Sequence, residues 1–316
     1  MFRLKLVPEN TAIDFIRWRF VAFIVSGVAI VISLGTFFAM GLNFGIDFRG
    51  GVTIEIETPE PADIGALRAA VSALNLGDVK VQEFGSPNDV VIYVEQQDAA
   101  GEGADDEAAQ QEAASLVQAA VEEVVGDGMS VRRVEVVGPK VSSELAGRGA
   151  MAVTVAIALM LVYIWLRFEW QFSLGAVAAL VHDVILTLGM FSITQLEFNL
   201  SIIAAILTIV GYSMNDTVVV YDRVRENLQK YKKKPLIDLL NQTINQTLSR
   251  TVMTSVTTLL ALFALYFLGG EVLKGFSFAL IWGVVVGTYS SIFIAAPLLL
   301  FTEVKREWGA GAEARA

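Results

Sequence analysis

The sequence predicts a helical membrane protein that crosses the bilayer six times and carries one α+β domain outside it. Three observations predict this. Of 316 residues, 54% are hydrophobic and 18% charged, against about 25% charged in a soluble domain. Six apolar runs, near residues 20–42, 149–166, 172–196, 198–221, 251–268 and 275–302, are long enough to cross about 30 Å of hydrocarbon at about 1.5 Å per residue. Charge is also split along the chain. Residues 41–147 hold 20 acids and 6 bases; the remainder holds 13 acids and 17 bases. An acidic domain and a basic membrane part lie behind the net charge of −10.

The elements follow in order. Residues 1–19 are polar and mixed, an inner N-terminal segment. The first run, 20–42, is too long for a signal-peptide core, so no cleavable signal is expected. Residues 43–147 form the outer domain, 148–221 hold helices two to four, and 222–250 form an inner loop. Residues 251–302 hold helices five and six, and 303–316 an inner tail. The third and fourth runs are separated only around Glu197, so their connection is tight. With both termini inside, the inner segments hold 15 basic residues and the short outer loops about two, Lys274 and Arg148. Basic residues in short loops set orientation, and a long outer domain crosses whatever its charge. The run from Lys230 to Lys234 in the inner loop fits this bias and is able to bind anionic lipid.

In the outer domain, residues 51–58 alternate apolar and polar, a strand pattern. Pro59, Pro61 and Asp63 open a helix with Ile64, Leu67, Val71 and Leu74 on one face. Strands are predicted over 78–84 and 89–95, joined by Gly85-Ser-Pro-Asn88. A loose insertion is predicted over 96–110, a helix over 112–125 and a last strand over 130–137. The order β-α-β-β-α-β predicts a ferredoxin-like sheet with helices on one face. The domain has no His or Cys and no Gly-rich phosphate loop, so no catalytic set, metal site or cofactor is expected. The carboxylates over 98–107 read as a solvated acidic loop rather than a cation site.

The chemistry lies in the membrane. Asp216 sits inside a 24-residue apolar run. A charge at that depth costs about 2.5–3.5 kcal/mol and is kept for ion or proton movement or for an internal ion pair. Thr208, Tyr212 and Asp216 are four apart and line one helix face. Ser213 and Thr217 flank it, and Gly211 permits close helix approach. On the fifth run Thr243, Thr247, Arg250, Thr254 and Thr258 form a second polar stripe, expected to face the first. An Asp216–Arg250 pair is geometrically possible. The third run adds Asp183 and the only histidine, His182, two groups able to relay protons. Static readings stand beside these: the pair as a register lock, His182 and Asp183 as caps, the hydroxyls bonded to their own backbone. Gly283-Val-Val-Val-Gly287 reads as a packing face. No Walker loop is present, so energy comes from a gradient or from a partner's ATPase.

Several segments resemble the SecD/SecF family of export subunits. Gly45-Ile-Asp-Phe-Arg-Gly-Gly51 is similar to the signature that follows the first helix there, placing Gly45, Asp47, Gly50 and Gly51 in a family motif. The stretch Gly211-Tyr-Ser-Met-Asn-Asp-Thr-Val-Val-Val-Tyr-Asp-Arg-Val-Arg-Glu-Asn227 resembles the SecF version of the fourth-helix motif. Leu248-Ser-Arg-Thr-Val-Met-Thr-Ser255 and Phe267-Leu-Gly-Gly270 are similar too. The resemblance spans about residues 10 to 302. It implies a multi-pass protein of the bacterial inner membrane with cytoplasmic termini and a periplasmic domain. It implies SecD, the SecYEG channel, the SecA ATPase and an unfolded translocating protein as partners, with protons as the coupled ion and no nucleic acid. It implies that Asp216 and Arg250 take part in proton movement; it carries no role over to His182 and Asp183, which stand with Tyr212, Asn215 and Thr254 as candidate relay or support residues on their chemistry and placement alone. The family belongs to the RND superfamily, so six helices make half of a unit. An RND-type exporter of small molecules or lipids, and a passive scaffold of the channel, are the alternatives.

Overall fold

A computed structural model describes residues 7–8, 11–95, 106–126, 128–302 and 304. The acidic stretch over 96–105 and the tail from 305 lie outside the described residues. In chain order the elements are α1 (Arg19–Met40), α2 (Ile46–Arg49), β1 (Gly51–Glu57), α3 (Ile64–Ser72), β2 (Val79–Phe84), β3 (Ser86–Val94), α4 (Asp106–Val125), β4 (Ser130–Val137), α5 (Pro139–Arg167), α6 (Trp170–Thr194), α7 (Leu200–Lys230), α8 (Leu236–Leu268), α9 (Glu271–Ser290) and α10 (Ala296–Leu298). A 3-10 turn, Ile16–Trp18, precedes α1, and a π-helical turn, Ser291–Ala295, joins α9 to α10. Six helical segments among the described residues are long and apolar enough to cross a membrane. The chain divides into two compact units, one of residues 44–152 with 197–200, the other of the remaining helices.

The smaller unit is the α+β domain. Its four strands run antiparallel in the order β2-β3-β1-β4, the ferredoxin-like arrangement. The alternation in β1 buries Val52, Ile54 and Ile56 on one face, where Leu67 and Val71 of α3 and Val117 and Val121 of α4 cover them. Asp63 caps α3, accepting from the Ala66 amide at 3.0 Å. Two boundaries differ from the sequence reading. The strand predicted from 89 begins at Ser86, because Gly85 turns the chain at φ 88° and pairs Phe84 directly with Ser86. The helix predicted from 112 begins at Asp106, inside the stretch read as a loose insertion. Ala-rich, acidic sequence is polar yet favours a first helical turn.

The segment 45–51 serves this unit. Gly45 precedes α2 and donates its amide to the Phe198 carbonyl at 3.0 Å. Asp47 accepts from the Leu200 amide at 2.7 Å, capping α7. Gly50 and Gly51 lie at φ 73° and 117°, where side-chain-bearing residues are strained, and turn the chain into β1. Phe44, Phe48 and Phe198 pack edge-to-face or tilted around this junction at centroid distances of 5.8–6.1 Å.

In the helical unit, α6, α7 and the segment from α9 to Leu298 bury much of their apolar length, whereas α1, α5 and α8 leave most of theirs exposed. The core gathers Phe168, Phe172, Tyr221, Val224, Leu239, Leu240 and Ala295. Glycines set the closest approaches. A side chain at Gly283 would strike Ile209, and one at Gly287 would meet Ser213 at 2.9 Å, so the Gly283–Gly287 face packs against α7 as expected. Gly211 meets nothing within 4 Å; the close approach lies on α9, not there. The helices also outrun their hydropathy. The region 222–250, read as a loop, consists of the end of α7, a turn over 231–235 and the first four turns of α8. Hydropathy marks only the apolar part of a helix. Here Asn227 donates to Thr243 at 2.8 Å and to Gln246 at 2.9 Å, which joins the two polar extensions.

Tyr221 gives a stability test. Its hydroxyl is fully buried and donates to the Ala295 carbonyl at 2.9 Å. Tyr221→Phe removes the donor and leaves that carbonyl in the π turn without it, at a cost of about 1–3 kcal/mol. The expected outcome is a lower thermal unfolding midpoint of the detergent-purified chain with unchanged helical content by circular dichroism.

Candidate functional site

The site is built where α6, α7, α8 and the α9–π junction meet, around two carboxylates. Asp216, on α7, is half-buried. Its Oδ1 accepts from the Thr251 hydroxyl of α8 at 2.7 Å and its Oδ2 from the Ser291 hydroxyl at 2.5 Å. Both partners are neutral. Among the described residues no ion pair joins Asp216 to Arg250, which is exposed. The possible Asp–Arg contact is thus replaced by a hydroxyl cradle, with Thr251 in the place the sequence reading gave its neighbour.

The polar stripe on α8 is displaced accordingly. Thr243, Thr247, Thr251 and Ser255 are buried and four apart, while Arg250 and Thr254 stand one position round the helix, exposed. The buried stripe meets α7 in antiparallel steps: Asn227 with Thr243, Asp216 with Thr251, and Tyr212 with Ser255 at 3.3 Å. Ser255 bonds on to Thr288 of α9 at 2.7 Å. Thr208 and Asn215 are exposed, and Thr208 donates to its own Ala204 carbonyl at 2.8 Å, the backbone reading.

Asp183 is the second carboxylate and is completely buried. His182 Nδ1 lies 2.8 Å from its Oδ1; Ser213 and Ser290 donate to its Oδ2 at 2.5 and 2.8 Å. His182 Nε2 lies 3.1 Å from the Ser26 hydroxyl of α1, which lies 3.0 Å from the Tyr289 hydroxyl. The imidazole also stacks on Tyr289 at 6.0 Å. These bonds tie four helices together, well beyond local capping.

The two carboxylates have separate hydrogen-bond partners that are neighbours along the chain. Ser213 serves Asp183 and lies one turn before Asp216 on α7; Ser290 serves Asp183 and its neighbour Ser291 serves Asp216. The α-to-π transition falls between those two serines, and π segments concentrate at functional sites. The sequence reading missed Ser26, Thr251, Ser290 and Ser291. The signal available was the Ser290-Ser291 pair in an otherwise apolar run. Chemically, the arrangement holds Asp216 between two neutral hydroxyl donors, where gain or loss of one proton rearranges hydrogen bonds instead of breaking an ion pair.

This geometry coincides with a matched family. The C-terminal region of the protein export membrane proteins SecD/SecF matches residues 116–305, and the SecD/SecF GG motif matches residues 35–58. The chain belongs to the SecD/SecF family. It is 49% identical to the protein translocase subunit SecF of Rhodobacter capsulatus over 96% of this chain and 93% of that one. It is likewise 49% identical to SecF of Magnetococcus marinus, over 95% of each chain. Among solved structures it is similar to SecDF of Thermus thermophilus, a translocon-associated membrane protein, with TM-score 0.81 and 33% identity. That likeness covers 94% of this chain but only 39% of the SecDF chain. A SecDF structure in the super-membrane-facing form matches with TM-score 0.65 over 99% of this chain. Relationship to this family makes the chain a multi-pass membrane protein connected with protein export.

Proposed function

We propose that the chain is the proton-coupled SecF-type subunit of the Sec translocase, acting with SecD at the bacterial inner membrane to promote late steps of export through SecYEG after SecA. Asp216 is the proton-binding group, and Arg250 lies beside it on the face that a partner completes. His182, Asp183 and Tyr212 support Asp216 through the serine and threonine network; Asn215 and Thr254, being exposed, stand toward the partner. Both termini are cytoplasmic and the α+β domain is periplasmic, a reading supported by the excess of basic residues in the inner segments. The supporting observation is Asp216 itself, an acid within an apolar helical unit whose direct donors are two neutral hydroxyls. Moving one charge through 100 mV releases about 2.3 kcal/mol. That energy drives a conformational cycle when the ionised and protonated forms prefer different states. The exposed apolar faces of α1, α5 and α8, together with Arg250, suit a half-unit that a second six-helix half encloses.

The test is export into membrane vesicles containing this chain, SecD and SecYEG. Protease-protected precursor should accumulate faster with a proton gradient than after a protonophore, and the difference should vanish when this chain is omitted. Equal accumulation with and without the chain would remove the coupling reading. A chain isolated from membranes that never retains SecD would instead favour a free-standing exporter.

A further inference from the structure

Ser290 and Ser291 each face a choice of acceptor. Ser290 Oγ lies 2.8 Å from Asp183 Oδ2 and 3.1 Å from the Gly287 carbonyl of its own helix. Ser291 Oγ lies 2.5 Å from Asp216 Oδ2 and 3.1 Å from the Thr288 carbonyl. A hydroxyl has one proton to donate. An ionised carboxylate, acceptor only, takes it. A protonated carboxyl carries its own proton, donates that to the serine oxygen, and turns the serine proton toward the helix carbonyl. One proton is bound in the exchange and no other bond order changes.

We propose that Ser290 and Ser291 are positioning residues that couple Asp183 to Asp216, so that the protonation state of one carboxylate sets the hydrogen bonding of the other. The two serines are consecutive at the α-to-π junction, so a turn of one hydroxyl bears on the backbone that holds the other. The groups facing this pair are few among the described residues. On α6 His182 adjoins Asp183, and α9 contributes Tyr289. From α7 comes Tyr212, from α8 the charge of Arg250, and from α1 the Ser26 hydroxyl. Coupling carried to Ser26 and Tyr289 would reach α1. The use of this device in transport rests on the proton-coupled reading above; the coupling does not.

Infrared difference spectroscopy of the full chain in nanodiscs tests it, following the carboxyl stretching band of Asp183 against pH. The Asp183 midpoint should differ by about one pH unit or more between wild type and Asp216→Asn, the mark of interacting sites. In a Ser290→Ala/Ser291→Ala background the two midpoints should coincide. Ser290→Thr/Ser291→Thr, which keeps both hydroxyls, should restore the difference. If the double alanine variant does not fold, Ser291→Ala alone carries the same comparison. Coincident midpoints with both serines present, or a difference that survives their removal, would overturn the proposal. No gradient or export enters this measurement, so a failed export experiment leaves its outcome standing.

Discussion

Asp216→Asn should reduce gradient-driven export in vesicles to the level seen without a gradient, while the chain remains inserted at normal amounts. The substitution is nearly isosteric. An Asn carbonyl oxygen still accepts from Thr251, and its amide meets the Ser291 oxygen, whose proton has the Thr288 carbonyl as an alternative 3.1 Å away. Packing therefore survives. The lost property is the ability to bind and release a proton. Removing a carboxylate from an apolar run lowers an insertion cost of about 2.5–3.5 kcal/mol, so the variant should be no less stable than wild type. A scaffold would behave otherwise: neutralising Asp216 would leave gradient dependence intact. The deciding measurement is protease-protected precursor with and without a protonophore. Full retention of the gradient increment would end the coupling reading.

Much of this architecture was legible in the sequence because two strong signals agree with their elements. The six apolar runs mark six helices, and the alternation of Val52, Ile54 and Ile56 marks a strand covered on one face. The Gly283–Gly287 spacing also gave its packing face. Boundaries were less legible wherever helix is polar. The start of α4 and the helical ends around 222–250 carry acids, amides and lysines whose helical state comes from propensity and from contacts such as Asn227 with Thr243. Hydropathy does not see either.

The site was legible in part. Asp216, His182 and Asp183 stand out against apolar neighbours, and all three enter the network. Their connection was hidden for a geometric reason. On α8, Thr247 belongs equally to a stripe through Arg250 and to one through Thr251, because both spacings fit a helical turn. Charge drew attention to Arg250, whereas packing chose Thr251. The link between the two carboxylates depends on the π turn after Ser290, which shifts helical register and has no simple sequence signature.

That one-residue shift makes the arginine the sharper experiment. In this chain Arg250 is exposed and makes no ion pair with Asp216 among the described residues. A guanidinium at the edge of a membrane helix reaches the interface along its apolar stem. It is kept here on the side of α8 that Thr254 shares and the helical unit does not cover. Arg250→Met retains a long apolar stem and deletes only the charge. Thr251 and Ser291 still hold Asp216, so the chain should insert and fold normally by protease pattern and by elution in detergent. Gradient-driven export should nevertheless fall to the uncoupled level. Arg250→Lys should restore part of it, since a point charge replaces the field but not the planar donor fork. If Arg250→Met is instead lost from the membrane, the arginine is structural and the scaffold alternative gains. If it exports with its full gradient increment, the proton path runs through the hydroxyl cradle without the arginine.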